Sequence, residues 1–394
     1  MRSASRIVFK GPIAPGTTVV GPAPLAIPLP TYQKLSGSRR VRGELVGAMP
    51  GGLADPRQGR SDVEFSVLDL LRCASRYFFM ESWWAGQREG WALTLPLAEY
   101  LAPGLRELAW GQRNSNVSRW LSELAGVGLA CLLAERMGAC SIRLGNGGAS
   151  GPDYECDVPG PNATHRVWFE AKGSSRWPIP AATRCRARDQ LSPYKGKGGV
   201  HGLAFCTFVR NPSCPEPSTV LIEDPAFEDA PHAPFQEHIA SLACAVSWAG
   251  LPRVGHALAG MVLRHVAERP RPPHRNEGRE EPASLYLAAE ESIHRVARFV
   301  READELQRQM AAWAERPWGW EHVVGSGDEC ALRVSLHPQN LKTLVDMARG
   351  GREPRAIEEF RLRPVRLPAE GQDRELASIG PDGTALRLGP PVEA

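Results

Sequence analysis

Residues 151–175 read GPDYECDVPGPNATHRVWFEAKGSS, two short runs separated by a Pro- and Gly-rich break. Side chains of a strand point alternately to opposite faces. In DYECDV the spacing therefore places Asp153, Glu155 and Asp157 on one face. In WFEAKG it places Glu170 and Lys172 on one face and Phe169 and Ala171 on the other. PGPNATH, residues 159–165, supplies a tight reversal, so the two runs are expected to form a hairpin. Pairing would then gather carboxylates from both strands beside one lysine. Clustered anions repel one another and lose solvation. A divalent cation relieves that conflict, and hard oxygen ligands suit magnesium or manganese. The alternative reading is a plain polar hairpin.

Working outward, NSNVSRWLSELAGVGLACLLAERMG (114–138) reads as one long helix, with Asn116 or Ser118 able to cap its start and Gly138 its end. Trp120, Leu124, Val127 and Cys131 share a face, with Glu123 at the edge of that stripe. CSIRL (140–144) follows as a short strand. Downstream of Pro180, AATRCRARDQL is a basic helix that Pro193 should stop. VHGLAFCTFV (200–209) is then a buried strand. The order is helix, three strands, helix, strand, which describes a mixed α/β core.

At this point the residues resemble a known family. Pro152-Asp153, followed after a hairpin by Glu170-Ala171-Lys172, resembles the PD-(D/E)xK motif of restriction-endonuclease-like nucleases, over roughly residues 117–210. The resemblance implies an α/β (α+β) fold: a restriction-endonuclease-like core with a mixed central sheet flanked by helices, to which the chain would add a helical C-terminal lobe. It implies that Asp153, Glu170 and the main-chain carbonyl of Ala171 hold Mg2+ (or Mn2+). Lys172 would be the catalytic lysine, and Glu123 a glutamate facing the metal from the preceding helix. QLSPY, Gln190 to Tyr194, resembles the Q-x-x-x-Y element of RecB-like and Cas4-like nucleases, although Pro193 falls between its two ends. The plain reading there is a helix end followed by a turn. Arg184, Arg186, Arg188, Lys195 and Lys197 surround this element and suit phosphate contacts; the other reading is a solvated helix face.

Composition bounds the rest. The chain has 394 residues, 42% hydrophobic and 23% charged, with a net charge of +3, so any nucleic-acid surface must be local. Nine cysteines include no C-x-x-C pair, which speaks against a zinc or iron–sulfur centre. YKGKGG lacks the phosphate-loop pattern, and no serine- or cysteine-nucleophile motif is present. No apolar run is long enough to span a membrane and the N-terminus lacks a signal-peptide core, so a cytoplasmic protein is expected.

The chain divides into a Pro/Gly/Arg-rich N-terminal arm or small β region (1–62), a helical, aromatic-rich segment (63–115) and the nuclease-like core (116–225). A helical lobe (226–320) with an exposed linker at 268–282 and a small α/β C-terminal region with a tail (321–394) follow. The expected activity is metal-dependent hydrolysis of phosphodiester bonds, most readily DNA, in a prokaryotic anti-phage or anti-plasmid setting by analogy. A homodimer or a partner protein would supply target recognition. Two alternatives stand: a catalytically inactive module that binds nucleic acid or scaffolds a complex, and a nuclease toxin.

Overall fold

The structure, a computed structural model, describes residues 29–46, 60–81, 91, 94–111, 115–139, 141–144, 152–159, 164–191, 201–223, 245–246, 248–249, 320–337, 376–381 and 383–391. The expected helical lobe falls almost wholly outside these residues, as do the linker at 268–282 and the first 28 residues.

The fold is mixed α/β with two sheets. Strands β1 (Ser38–Val46), β2 (Arg60–Ser66), β3 (Ser141–Leu144), β4 (Tyr154–Pro159), β5 (Thr164–Ser174), β6 (His201–Phe208) and β7 (Thr219–Glu223) form a seven-stranded sheet in the order β2-β1-β7-β6-β5-β4-β3. Its right half is the antiparallel meander β3-β4-β5, with β6 lying parallel to β5. A parallel neighbour needs a crossover. Helix α5 (Ala181–Leu191) supplies it, after the short helices α1 (Tyr32–Leu35) and α3 (Pro96–Tyr100) and the longer α2 (Val67–Glu81) and α4 (Ser115–Arg136). The second sheet, in the order β10-β11-β9-β8, is built from β8 (Trp320–Ser326), β9 (Ala331–Leu336), β10 (Leu376–Ile379) and β11 (Thr384–Gly389).

Alternation sorts the faces of the large sheet. Tyr154, Cys156 and Val158 of β4, Val167, Phe169 and Ala171 of β5, and Leu203 and Phe205 of β6 join the main core with residues of α2 and α4. Trp168, Ala204, Cys206, Phe208 and Leu221 face the other way, onto Ala187 and Leu191 of α5. Glu170 and Lys172 share the parity of Trp168, so they emerge on the α5 side.

Three local features differ from or sharpen the sequence reading. The helical segment expected from residue 63 begins only at Val67: Val63 and Phe65 are buried while Asp62 and Glu64 are exposed, a period of two that makes residues 60–66 a strand. Ser66 then starts α2, its Oγ accepting from the N–H of Asp69 (3.0 Å) while the Asp69 carboxylate accepts from the N–H of Ser66 (2.9 Å). Helix α4 begins at Ser115, so Asn116 and Ser118 lie inside its first turn instead of capping it. Gly138 does end it, with φ +97° and paired bonds from Gly138 N to Glu135 O and Ala139 N to Ala134 O.

A buried polar network ties the second sheet to the core. Arg72 on α2 donates from Nη1 and Nη2 to both oxygens of Glu135 on α4 (2.9 and 2.5 Å) and from Nε to Ser378 Oγ on β10 (2.8 Å). Ser378 in turn donates to Asp69, and the Tyr77 hydroxyl donates to Glu135. Fully paired, this charge holds three elements in one register; unpaired, it would be costly. The described cysteines are free thiols, most of them buried.

Candidate active site

The convergence foreseen in the hairpin occurs at the outer end of β4 and β5. Tyr154 pairs with Phe169, so Asp153, one residue before β4, arrives opposite Glu170. The N–H of Asp153 donates to Glu170 Oε2 (2.9 Å), and the N–H of Ala171 donates to Asp153 Oδ2 (3.1 Å). Lys172 Nζ pairs with Glu170 Oε1 and lies 3.7 Å from Asp153 Oδ2. One ammonium thus bridges two carboxyl groups. Glu170 is fully buried, whereas the side chains of Asp153 and Lys172 are 24% and 28% exposed, so the group opens to solvent on one side.

Electrostatics follow from that arrangement. Burial, followed by the neighbouring Asp153 carboxylate, pushes the Glu170 carboxyl up to about 8, against the pull of Lys172. For Lys172 burial works to lower the pKa, but Asp153 and Glu170 outweigh it and the ammonium is held charged. With both carboxyl groups ionised, one ammonium leaves the group one negative charge in surplus. Two hard carboxylate ligands beside the Ala171 carbonyl would suit a divalent cation, whose charge offsets that surplus. Among the described residues no group of three or more His, Cys, Asp or Glu side chains is placed to hold a metal. The candidate ligand set is therefore two carboxylates and one main-chain oxygen.

Glu123 does not join this group: only its backbone lies near β5, against the face opposite to Glu170 and Lys172. Gly173 follows Lys172 and faces α4 so closely that a Cβ there would lie 1.9 Å from Ser122 O and 2.5 Å from Glu123 N. The Glu123 side chain is exposed and pairs with Arg119 one helical turn away (3.7 Å). Glu155, expected beside Asp153, is taken up elsewhere: it is buried and accepts from Trp168 Nε1 (2.6 Å) and from Arg166 Nη2 (2.6 Å) and Nε (3.2 Å). Alternation assigned its face correctly, but a cationic cross-strand partner was there to take it.

The basic helix carries ion pairs that its own sequence does not announce. Arg184 and Arg188 are not a free cationic face: Arg184 Nε bonds Glu223 Oε1, and Arg188 Nε lies 3.4 Å from Glu223 Oε2. Arg186 is exposed, its Nε donating to the Ala182 carbonyl (3.3 Å). Gln190 lies near the end of α5 and is half-buried. Tyr194, Lys195 and Lys197 lie outside the described residues. The residue that sequence reasoning missed is Glu223. Its signal was present, an acid ending the otherwise uncharged strand TVLIE, whose five residues are all buried.

Among the described residues no helix is long and apolar enough to cross a membrane. Comparison of the chain with protein-family models, with curated proteins and with solved structures finds no match.

Proposed function

We propose that the chain is a metal-dependent nuclease with a restriction-endonuclease-like core, hydrolysing phosphodiester bonds of DNA. The observation that carries this reading is the meeting of Asp153, Glu170 and Lys172 at one solvent-open sheet end. Those residues come from the two strands that the motif requires. The succession of α4, the β3-β4-β5 meander, α5 and a parallel β6 supports the same reading.

Asp153, Glu170 and the Ala171 carbonyl would hold the magnesium or manganese ion, which when bound supplies Lewis-acid stabilisation and a more acidic water. Lys172 orients the attacking water and offsets charge on the phosphate. The N–H of Ala171 and the N–H of Asp153 hold the two carboxylates in place. Glu123 lies on α4, against the opposite face of β5, with its carboxylate paired to Arg119, so the reading assigns it no contact with this group.

A second reading has one observation in its favour. The Lys172 ammonium already pairs with both acids, as it would in a nuclease-fold module that binds nucleic acid or scaffolds a complex without cutting. Incubation of the full chain with supercoiled plasmid, linear duplex, single-stranded DNA and RNA, with Mg2+, Mn2+ or chelator, separates the two. Metal-dependent cleavage that Lys172→Ala removes supports the enzyme. Nucleic-acid binding with no cleavage of any of these substrates supports the module.

A further inference from the structure

Glu223 ends β7 in register with Ala204 of β6, which is itself in register with Glu170 of β5. The three side chains therefore leave one face of the sheet, with a single methyl group between the two acids. Two interstrand spacings put their backbones ~9–10 Å apart. Cys206, in register with Lys172, points the same way. Its thiol lies within the field of both groups: burial, then Glu223, with Glu170 as a lesser contributor, push it up to about 12, and Arg184 and Lys172 oppose them.

Helix α5 covers this face. Arg184 and Arg188 are four residues apart, so one helical turn sets both over the same point. Both engage the buried Glu223 carboxylate through Nε, the inner edge of the guanidinium. A guanidinium carries five N–H donors, so the four Nη hydrogens of each arginine remain beyond this contact. One of these groups, Arg188 Nη2, touches Cys185 Sγ at 3.3 Å. The side chains stay 34% and 47% exposed, and Glu223 offsets only one of the two guanidinium charges, with Asp189 a lesser influence on Arg188.

We infer that Glu223 is a positioning residue that fixes Arg184 and Arg188 as a clamp for a backbone phosphate of nucleic acid, alongside the Asp153, Glu170 and Lys172 group. This inference rests on the nuclease reading for its choice of ligand. At its distance from Glu170 the clamp takes a phosphate beside the reacting one. Arginine side chains lose rotamer freedom when fixed. A carboxylate that fixes them beforehand lowers what binding must supply.

The test is duplex DNA binding by the full chain in chelator, measured by fluorescence polarisation across a salt series. Arg184→Gln combined with Arg188→Gln should reduce the slope of log affinity against log salt by about 0.9, the value for one phosphate neutralised. Glu223→Gln keeps both cations, so it should retain the wild-type slope and weaken binding about tenfold. Stoichiometric titration distinguishes that weakening from a smaller folded fraction. Tighter binding by Glu223→Gln would show a carboxylate that competes with phosphate and would overturn the inference. An unchanged slope in the double arginine variant would overturn it too, and that variant decides alone if Glu223→Gln does not fold. Binding that follows these expectations with no metal-dependent cleavage would remove the enzymatic reading and leave the clamp. Cleavage by a double variant with wild-type slope would do the reverse.

Discussion

Gly173→Ala tests the contact that backs the candidate site. The β-carbon would stand 1.9 Å from Ser122 O, 2.2 Å from Ser122 C and 2.5 Å from Glu123 N, all main-chain atoms of α4. Ordinary contact begins at 3.4 Å, so helix and strand must part by about 1.5 Å, the difference between those two distances. Overpacking costs ~1–3 kcal/mol where side chains can yield. Here neither partner can rotate away, so the upper end, ~3 kcal/mol, is expected. At ~2–4 °C per kcal/mol for a domain of this size the melting midpoint should fall by ~6–12 °C. Gly126→Ala is the control. Its β-carbon meets Gly173 N at 3.0 Å, Gly173 Cα at 3.1 Å and Lys172 C at 3.2 Å, a deficit of a few tenths of an ångström. The ~1 kcal/mol gain in helix propensity of Ala over Gly should offset much of that cost. The assay is thermal unfolding of both variants by circular dichroism. A Gly173→Ala protein melting within about 2 °C of wild type would refute the close approach of α4 to β5.

Two further outcomes follow from the buried charges. Glu170 binds its proton more tightly in the folded chain, about 8 against an ordinary 4.5, so its contribution to stability is whole below pH 4.5 and is lost as pH rises toward 8. In chelator the wild-type melting midpoint should therefore carry a decline across that window that Glu170→Gln lacks. Lys172, raised above its ordinary value, stays charged throughout the window and adds nothing to the slope; melting curves from pH 5 to pH 8 decide. Arg72→Ala leaves Glu135 buried without its guanidinium and removes the donor to Ser378 Oγ. Loss of one partner from such a pair costs ~3–5 kcal/mol, and amide hydrogen exchange of residues 376–389 should accelerate more than that of β5.

The hairpin was legible because its signals are local: alternation set the faces, the Pro- and Gly-rich break set the reversal, and Asp153 and Glu170 met as the pattern required. Gly138 was legible as a helix stop for the same reason. Partners distant in sequence were not. Strand β1 pairs in parallel with β7, joining Arg42 to Thr219, and no local pattern in either segment names the other. The same limit hid Glu223, whose strand could be seen as apolar but whose claim on Arg184 and Arg188 depends on how α5 lies over the sheet. It also hid the fate of Glu155, since alternation gives a face and leaves open which cross-strand partner waits there. The late start of α2 has a different cause: residues 60–66 carry a period of two that a longer helical window absorbed.

The central claim is that Asp153, Glu170 and Lys172 act together on a phosphodiester bond. Its most direct measurement is single-turnover plasmid cleavage in Mg2+ or Mn2+ by wild type, Asp153→Asn, Glu170→Gln and Lys172→Ala, each shown by circular dichroism to be folded. The account predicts metal-dependent cleavage by the wild type and a loss on the order of 100-fold or more in each variant, the scale of removing a positioned catalytic group. Cleavage at the wild-type rate by the three variants, or none by wild type on any of the nucleic acids offered, would contradict it.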